Sequence, residues 1–262
     1  MARRCPAGPC RLSIVLVCAC LCPLPAVAQD LFELEVFPSA TAGEGETRIG
    51  IHANGLPGRA VAAASPTIDH PFHASVELSH GWTDRFETAV FLETAPLARA
   101  QGARFAGGHV RPKYRFARPP GLPFDVSLAV EYAINRIVFD DNRQTLEFVP
   151  ILERRQGRLS LVANPEWAIA IKGPENASLP KFSTAAKVQW QTRPRVSMGF
   201  EYFWKTEALK HFDPDIDRHH FLLAVMDVRL SDDWELNIGA GRCLTDPREN
   251  WIVKMIVGYR LR

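Results

Sequence analysis

Cysteine is scarce beyond the first segment of this chain, and no apolar run is long enough for a membrane-spanning helix. Five of the six cysteines precede residue 29, which leaves Cys243 alone in the remainder. A single cysteine excludes a framework of intrachain disulfide bonds. The longest apolar run, Leu12 to Leu24, falls short of the roughly 20 residues that a transmembrane helix needs. We therefore expect neither a disulfide-stapled fold nor a helical membrane protein.

Catalytic and metal-binding motifs are also missing. The sequence contains no Gly-x-Ser-x-Gly elbow and no His-Glu-x-x-His motif. Ser79 and His80 cannot form a dyad, because consecutive residues of a strand point to opposite faces. The loop 213–220 spaces its carboxylates like a calcium loop but lacks the glycine and the closing glutamate. We predict no catalytic residue, no metal site and no cofactor; His219 or His220 is the only plausible base for a hydrolase.

Neither charge nor hydropathy selects a function class. Of the 262 residues 23% are charged, and the formal net charge is +2. This balance indicates neither disorder nor a nucleic-acid partner. A mean hydropathy of -0.09 fits a soluble globule, but it equally fits a barrel with one apolar and one polar face. The pattern along the chain must decide between these classes.

The first residues have the pattern of an export signal. Arg3-Arg4 precede the apolar run Leu12 to Leu24, which closes with Ala26-Val27-Ala28. A basic start, a short apolar stretch and a small-residue cleavage site are typical of a secretory signal peptide. We predict that residues 1–28 are such a peptide and that the mature chain is exported.

The strongest signal is a two-residue period near the end of the chain. One face of the segment 251–259 carries Lys254 and Gly258. The opposite face is entirely apolar: Trp251, Val253, Met255, Val257 and Tyr259. Because side chains alternate along a strand, this pattern is typical of a strand between lipid and a polar interior.

The same period recurs throughout the chain from residue 46 onwards. Short and long connections alternate between the segments, as they do in bacterial outer-membrane barrels. We predict an all-β fold, an antiparallel transmembrane up-and-down β-barrel of about twelve strands, over residues 46–262. The predicted strands are Glu46–Ala53, Phe72–Trp82, Phe86–Glu93, Val110–Phe116, Phe124–Ile134, Thr145–Glu153, Leu159–Ile169, Phe182–Trp190, Val196–Trp204, Phe221–Leu230, Trp234–Gly241 and Trp251–Tyr259.

Two features do not fit a simple barrel. Residues 29–45 also alternate, and we expect them to form an extra strand or a segment at the seam or in the lumen. Pro112, Pro150 and Pro165 fall inside predicted strands, where each removes a ladder hydrogen bond. Bulges or positions near the rim would reconcile the prolines with the fold.

The polar faces of the predicted strands carry both signs of charge. A selective passage lined by charge is one interpretation. The other is a structural ion-pair network that fills a narrow interior. The candidate lumen charges are Glu77, Glu87, Glu93, Arg111, Lys113, Arg115, Glu131, Glu147, Glu166, Lys187, Glu201, Arg229 and Lys254.

Four segments resemble proteobacterial outer-membrane β-barrel proteins, a family that is mostly uncharacterised and partly grouped with transporters. They are Asp30–Val36, Trp82–Glu87, Trp234–Gly241 and Lys254–Arg260. The resemblance implies an outer-membrane location and a barrel fold more firmly than an activity. Such barrels commonly end on an aromatic residue, whereas this chain ends on Arg262.

Taken together, these patterns predict a monomeric, non-enzymatic outer-membrane barrel with a passive transport or structural role. Its lumen is charged, and either open or plugged. Its expected partners are outer-membrane lipid, lipopolysaccharide and the barrel assembly machinery. The alternatives are an outer-membrane hydrolase and a soluble periplasmic β-sandwich or lipocalin-like binder. Tryptophans near strand ends favour a membrane protein, because aromatic girdles lie at membrane interfaces.

Overall fold

The computed structural model describes residues 34–55, 72–96, 103–118, 120–137, 142–174, 176, 180–206, 218–245 and 251–261. The predicted signal peptide and most of the loop 213–220 lie outside these residues. Within the described ranges, no helix is long and apolar enough to cross a membrane.

The described residues form one closed antiparallel barrel in which each strand pairs with its neighbours in sequence and the last strand closes on the first. The prediction of a twelve-stranded up-and-down barrel is confirmed, and the β-sandwich alternative is wrong. The strands are β1 (Thr47–Gly55), β2 (Phe72–Thr83), β3 (Phe86–Pro96), β4 (Ala103–Arg115), β5 (Asp125–Asn135), β6 (Gln144–Gln156), β7 (Leu159–Lys172), β8 (Lys181–Arg193), β9 (Val196–Thr206), β10 (Arg218–Arg229), β11 (Trp234–Cys243) and β12 (Ile252–Leu261).

Short connections join β2–β3, β6–β7, β8–β9 and β10–β11 at one end of the barrel, here called the tight-turn end. Gly157 has a φ of +60° in the turn between β6 and β7, a conformation that glycine adopts without strain. The β4–β5 connection, residues 116–124, also lies at this end and is longer than these turns. The remaining connections lie at the opposite end, here called the loop end. Strand β4 begins at Ala103, well before the predicted Val110, because its first residues continue the pairing with β3.

Outward and inward faces differ sharply along each strand. Leu92 on β3 points outward and is 56% exposed, whereas the adjacent Phe91 is fully buried inside the barrel. Val90 and Leu78 also point outward and pair across β2 and β3. An apolar outer surface of this kind is stable against lipid and costly against water.

The three strand prolines lie at interruptions of the ladders. The β6–β7 ladder keeps one register on either side of a short unpaired stretch, and Pro150 and Pro165 lie opposite each other within it. Pro150 still pairs with Leu128 on β5, and Pro165 with Thr184 on β8. The β4–β5 ladder is likewise unpaired at Pro112. Two prolines therefore share one interruption instead of creating two.

Tryptophans lie towards both ends of the outer surface. Trp82 and Trp234 lie at the tight-turn end, where Trp234 packs against Tyr259 with ring centroids 4.6 Å apart. Trp167 and Trp204 lie towards the loop end. This arrangement is typical of the aromatic girdles of membrane barrels.

Candidate functional site: the occupied lumen

Residues 34–45, here called the plug segment, run inside the barrel towards its tight-turn end. They form no strand, and the wall begins at Thr47. Leu34 is 1% exposed, and Phe37 and Ser39 are also buried. At the tight-turn end the main-chain N–H of Gly45 donates to the carbonyl of Gly81 at 2.8 Å. The described residues 34–45 thus lie in the lumen.

Side chains of the wall donate to the main-chain carbonyls of the plug segment. Lys254 Nζ donates to the carbonyl of Leu34 at 2.9 Å. Lys113 Nζ donates to the carbonyl of Ala40 at 2.8 Å, and Ser127 Oγ to that of Ser39 at 2.6 Å. Since these contacts reach from three separate strands, β4, β5 and β12, the plug segment is bound on several sides.

Carboxylates of the wall accept hydrogen bonds from the main chain of the plug segment. Glu153 on β6 accepts from Ser39 twice, from its N–H at 2.8 Å and its hydroxyl at 2.7 Å. Glu87 on β3 accepts from the N–H of Ala42 and also pairs with Lys113 at 2.7 Å. The wall thus satisfies main-chain donors and acceptors that a segment without secondary structure leaves open.

Arg111 lies between two aromatic rings near the middle of the plug segment. Its guanidinium carbon is 4.1 Å from the ring centroid of Phe37 and 4.6 Å from that of Phe91. Ion pairs join it to Glu77 at 3.2 Å and to Glu131 at 3.9 Å. Phe37 on the plug segment therefore stacks on a cation that is itself held by the wall.

A chamber of about 470 Å³ remains beside the plug segment, on the β6–β12 side of the lumen. Lys187 bridges Glu201 at 3.2 Å and Asp227 at 2.6 Å in its lining. Lys254 pairs with Glu201 from the opposite side. The turn residues that line the chamber belong to the tight-turn end. These buried charges are paired, as charges in a confined interior must be to offset their desolvation.

An apolar cluster lies between the chamber and the loop end. Phe203 on β9 pairs with Phe221 on β10, and both are buried inside the barrel. The same cluster contains Leu223 on β10, Ile252 on β12 and, from the plug segment, Leu34. An inward apolar cluster is unusual for a water-filled passage, and together with the plug segment it fills part of the lumen.

The structure divides the predicted lumen charges into three groups. One group surrounds the plug segment: Glu77, Glu87, Glu93, Arg111, Lys113 and Glu131. A second group lines the chamber: Lys187, Glu201, Arg229 and Lys254. The rest lie apart: Arg115 is partly exposed beside Asp125, Glu147 is half-buried and Glu166 is buried on β7.

Several residues that bind the plug segment are not among the candidate lumen residues. Those candidates are all charged, so uncharged polar residues were missed. Ser127 and Asn164 are uncharged, and both lie on the inward face that alternation assigns. Glu153 was placed at the end of a predicted strand and was not counted as a lumen residue. The inward face of β7, where Asn164 is followed by Glu166, is the signal that would have identified the amide.

His220, which the sequence marked as a possible base, lies on the outward side of β10. Its ring stacks on Trp204 with centroids 6.0 Å apart, and its Nδ1 contacts the hydroxyl of Tyr202. Ser79 is buried inside the barrel, whereas the adjacent His80 contacts Thr47 and Trp82. The side-chain contacts shown for His220 and His80 are thus with aromatic rings and with the hydroxyls of Tyr202 and Thr47.

Solved structures with the same fold are bacterial porins and channels. The KdgM porin is 11% identical with a TM-score of 0.54, over 82% of this chain and 99% of that chain. The NanC porin is 9% identical with a TM-score of 0.56, over 82% and 99%. An outer membrane channel from Pseudomonas putida F1 is 12% identical with a TM-score of 0.57, over 87% and 100%. No protein-family model and no curated protein matches the sequence. The chain thus has the fold of bacterial outer-membrane porins and channels.

Proposed function

We propose that this protein is a porin-like passive channel of the bacterial outer membrane whose lumen is closed by its own plug segment. The observation that carries the proposal is the hydrogen bonding of residues 34–42 by inward side chains of the wall. A purely structural barrel needs no such set of polar contacts, because apolar packing fills an interior at lower desolvation cost. Among the described residues, the plug segment continues into a wall strand only at its C-terminal end, where β1 begins, so its departure breaks no ladder between wall strands.

The proposal includes the cellular setting. The apolar outer face and the aromatic girdles fit a lipid bilayer, and the same fold occurs in outer-membrane porins. Residues 1–28 direct export, the barrel assembly machinery inserts the chain, and the barrel acts as a monomer in contact with lipopolysaccharide. Membership of the proteobacterial barrel family named above belongs to the same proposal. Fractionation of cells by density gradient tests the location.

Planar-bilayer recordings of the purified barrel test the channel. The wild type is expected to conduct weakly, and deletion of residues 34–42 is expected to give larger, ohmic single-channel steps. Gly43 to Glu46, which lead into β1, remain in the deletion variant. Heat-modifiable migration on gels establishes that both proteins are closed barrels.

The control is deletion of residues 57–65, an equal number of residues from the connection between β1 and β2. This change leaves residues 34–45 in place and should leave the conductance at the wild-type level. A folded plug-deletion variant that conducts no better than the wild type would refute the channel and favour a structural role.

A further inference from the structure

Three metal-ligating side chains meet where the plug segment passes β1 and β2. Glu35, His52 and Glu77 each offer one donor atom, and these atoms all lie within 4.8 Å of one another. His52 is 1% exposed, and its Nε2 lies 3.2 Å from Glu77 Oε2. Its Nδ1 lies 3.8 Å from Glu35 Oε2. We propose that this cluster binds a divalent transition-metal ion of the zinc type, and that the ion fastens the plug segment to the wall.

The separation of the donor atoms fits a metal site. Zinc binds imidazole nitrogen and carboxylate oxygen at about 2.0–2.2 Å, so two ligands at usual angles stand roughly 3.0–3.5 Å apart. The 3.2 Å between His52 Nε2 and Glu77 Oε2 lies in this range. Glu35 Oε2 faces the other ring nitrogen, Nδ1, so the Glu35 side chain has to turn towards Nε2 to share an ion with Glu77. Glu35 belongs to a segment without secondary structure, and this turn breaks no strand pairing. Two carboxylates offset the charge of the ion.

The surroundings keep the approach between His52 and Glu77 open. A side chain at Gly50 would place its Cβ 3.1 Å from both Glu77 Oε2 and His52 Nε2, which is tighter than most contacts of a Cβ, so glycine leaves more room beside these two atoms. Arg111 Nη2 donates to the other oxygen of Glu77, Oε1, at 3.2 Å. The arginine thereby holds the carboxylate with Oε2 turned towards the imidazole. Outer partners of this kind orient the ligands of metal sites.

The donor set indicates the class of metal. Calcium and magnesium prefer oxygen ligands only, whereas an imidazole with carboxylates suits zinc and its neighbours in the first transition row. Three protein ligands leave at least one position for water. Glu35, His52 and Glu77 come from three separate segments, so no local motif in the sequence marks the site. The sequence-based prediction of no metal site could therefore not take this cluster into account.

Zinc chloride, added to the chelator-stripped full-length barrel in detergent, tests the site. Equilibrium dialysis with atomic absorption should find one tightly held zinc ion per wild-type barrel. Glu35→Gln and His52→Gln should each weaken zinc binding at least about tenfold, since even outer partners of a metal have effects of that size. Zinc should raise the melting temperature of the wild type by more than that of Glu35→Gln, because a folded state that binds zinc more weakly is stabilised less at the same zinc concentration.

Glu93→Gln is the matched control. It also removes a buried carboxylate from beside a buried histidine, His109, whose Nδ1 lies 2.8 Å away. Its zinc affinity should equal that of the wild type. A visible absorption band of Co²⁺ bound to wild-type protein, displaced by zinc, supports the site without any variant.

Two results would overturn the proposal: a wild type that retains no zinc and shows no Co²⁺ band, or Glu35→Gln and His52→Gln variants that bind zinc as tightly as the wild type does. Both measurements are made without a conductance assay. A wild type that binds zinc, with a plug-deletion variant that conducts no better than the wild type, keeps the site and refutes the channel. A wild type that binds no zinc, with a plug-deletion variant that conducts strongly, does the reverse.

Discussion

Asn164 on β7 hydrogen-bonds to both main-chain groups of Phe37 on the plug segment. Its Oδ1 accepts from the Phe37 N–H at 2.7 Å, and its Nδ2 donates to the Phe37 carbonyl at 3.1 Å. The Asn164 amide thus hydrogen-bonds to the N–H and the carbonyl of one residue, as the main chain of a neighbouring strand does in a sheet. The contact is buried, so loss of the amide leaves two main-chain groups without their partner.

Asn164→Leu is therefore expected to loosen the plug segment. Two buried main-chain groups lose their hydrogen bonds, and the free energy of unfolding should fall by about 1–3 kcal/mol. Single-channel conductance should rise above the wild-type level, since the segment is less firmly held. Urea unfolding in lipid vesicles and bilayer recordings measure the two effects.

Asn237→Ala is the control for that change. Asn237 lies on β11, lines the chamber and donates to Asp227, and among the described residues its side chain forms no hydrogen bond with the plug segment. It should leave the conductance unchanged. Equal conductance in both variants would show that Asn164 has no part in holding the lumen closed.

Gly81→Ala should displace the plug segment where it leaves the lumen. A Cβ at this position would lie 2.1 Å from the carbonyl oxygen of Gly43 and 2.6 Å from that of Ala42. Main-chain atoms cannot rotate away, so the segment must shift. Limited proteolysis should cut the variant between residues 34 and 45 faster than the wild type.

Gly43→Ala provides the comparison for this experiment. Its Cβ would meet only Glu46 Oε2, at an ordinary distance of 3.5 Å. It should be cleaved at the wild-type rate. If Gly81→Ala is cleaved no faster than Gly43→Ala, the segment does not pass Gly81 in the folded protein.

Val90→Arg tests which face of the wall contacts lipid. Val90 lies in the middle of β3, points outward and pairs with Leu78 and Val110. An arginine near the bilayer midplane should cost about 2–4 kcal/mol of unfolding free energy. Leu261→Arg, at the end of β12, should cost roughly 0–1 kcal/mol because it lies near the interface. Equal costs at the two positions would contradict the membrane placement.

Glu46 predicts a pH dependence at the seam between β1 and β12. Burial by itself raises its pKa, but the hydrogen bond and charge of Arg48 and the charge of Arg260, 2.8 Å away, hold the pKa below its usual value. A carboxylate whose pKa is lowered by folding stabilises the folded state above its unfolded pKa of about 4.3. This contribution is lost as the pH falls through the lower pKa of the folded state.

Urea unfolding from pH 7 to pH 3 measures this effect. The wild type should lose stability below about pH 4.3 by more than Glu46→Gln does, because the variant has no carboxylate to protonate. Glu44→Gln is the control, since the Glu44 side chain forms no ion pair among the described residues. Parallel pH profiles for the wild type and Glu46→Gln would exclude a role for Glu46 at the seam.

The wall of the barrel was predictable because its signal is local. In β12, Val253 and Met255 alternate with Lys254, and this order alone assigns the two faces of the strand. The period of two is set by strand geometry and needs no knowledge of the neighbours. The prolines were the exception: the sequence did not indicate that Pro150 and Pro165 lie opposite each other, because the register between β6 and β7 is a property of the pair.

The contents of the lumen depended on the tertiary structure. Nothing in the spacing of Phe37 and Asn164, or of Leu34 and Lys254, brings these residues together along the chain. Their contacts exist because closing the barrel surrounds residues 34–45 with inward side chains from six or more strands. The sequence by itself therefore determined that twelve strands have one apolar and one polar face. Only the closed barrel decided which polar groups meet, since that depends on shear and register between strands and on the path of a segment without regular structure.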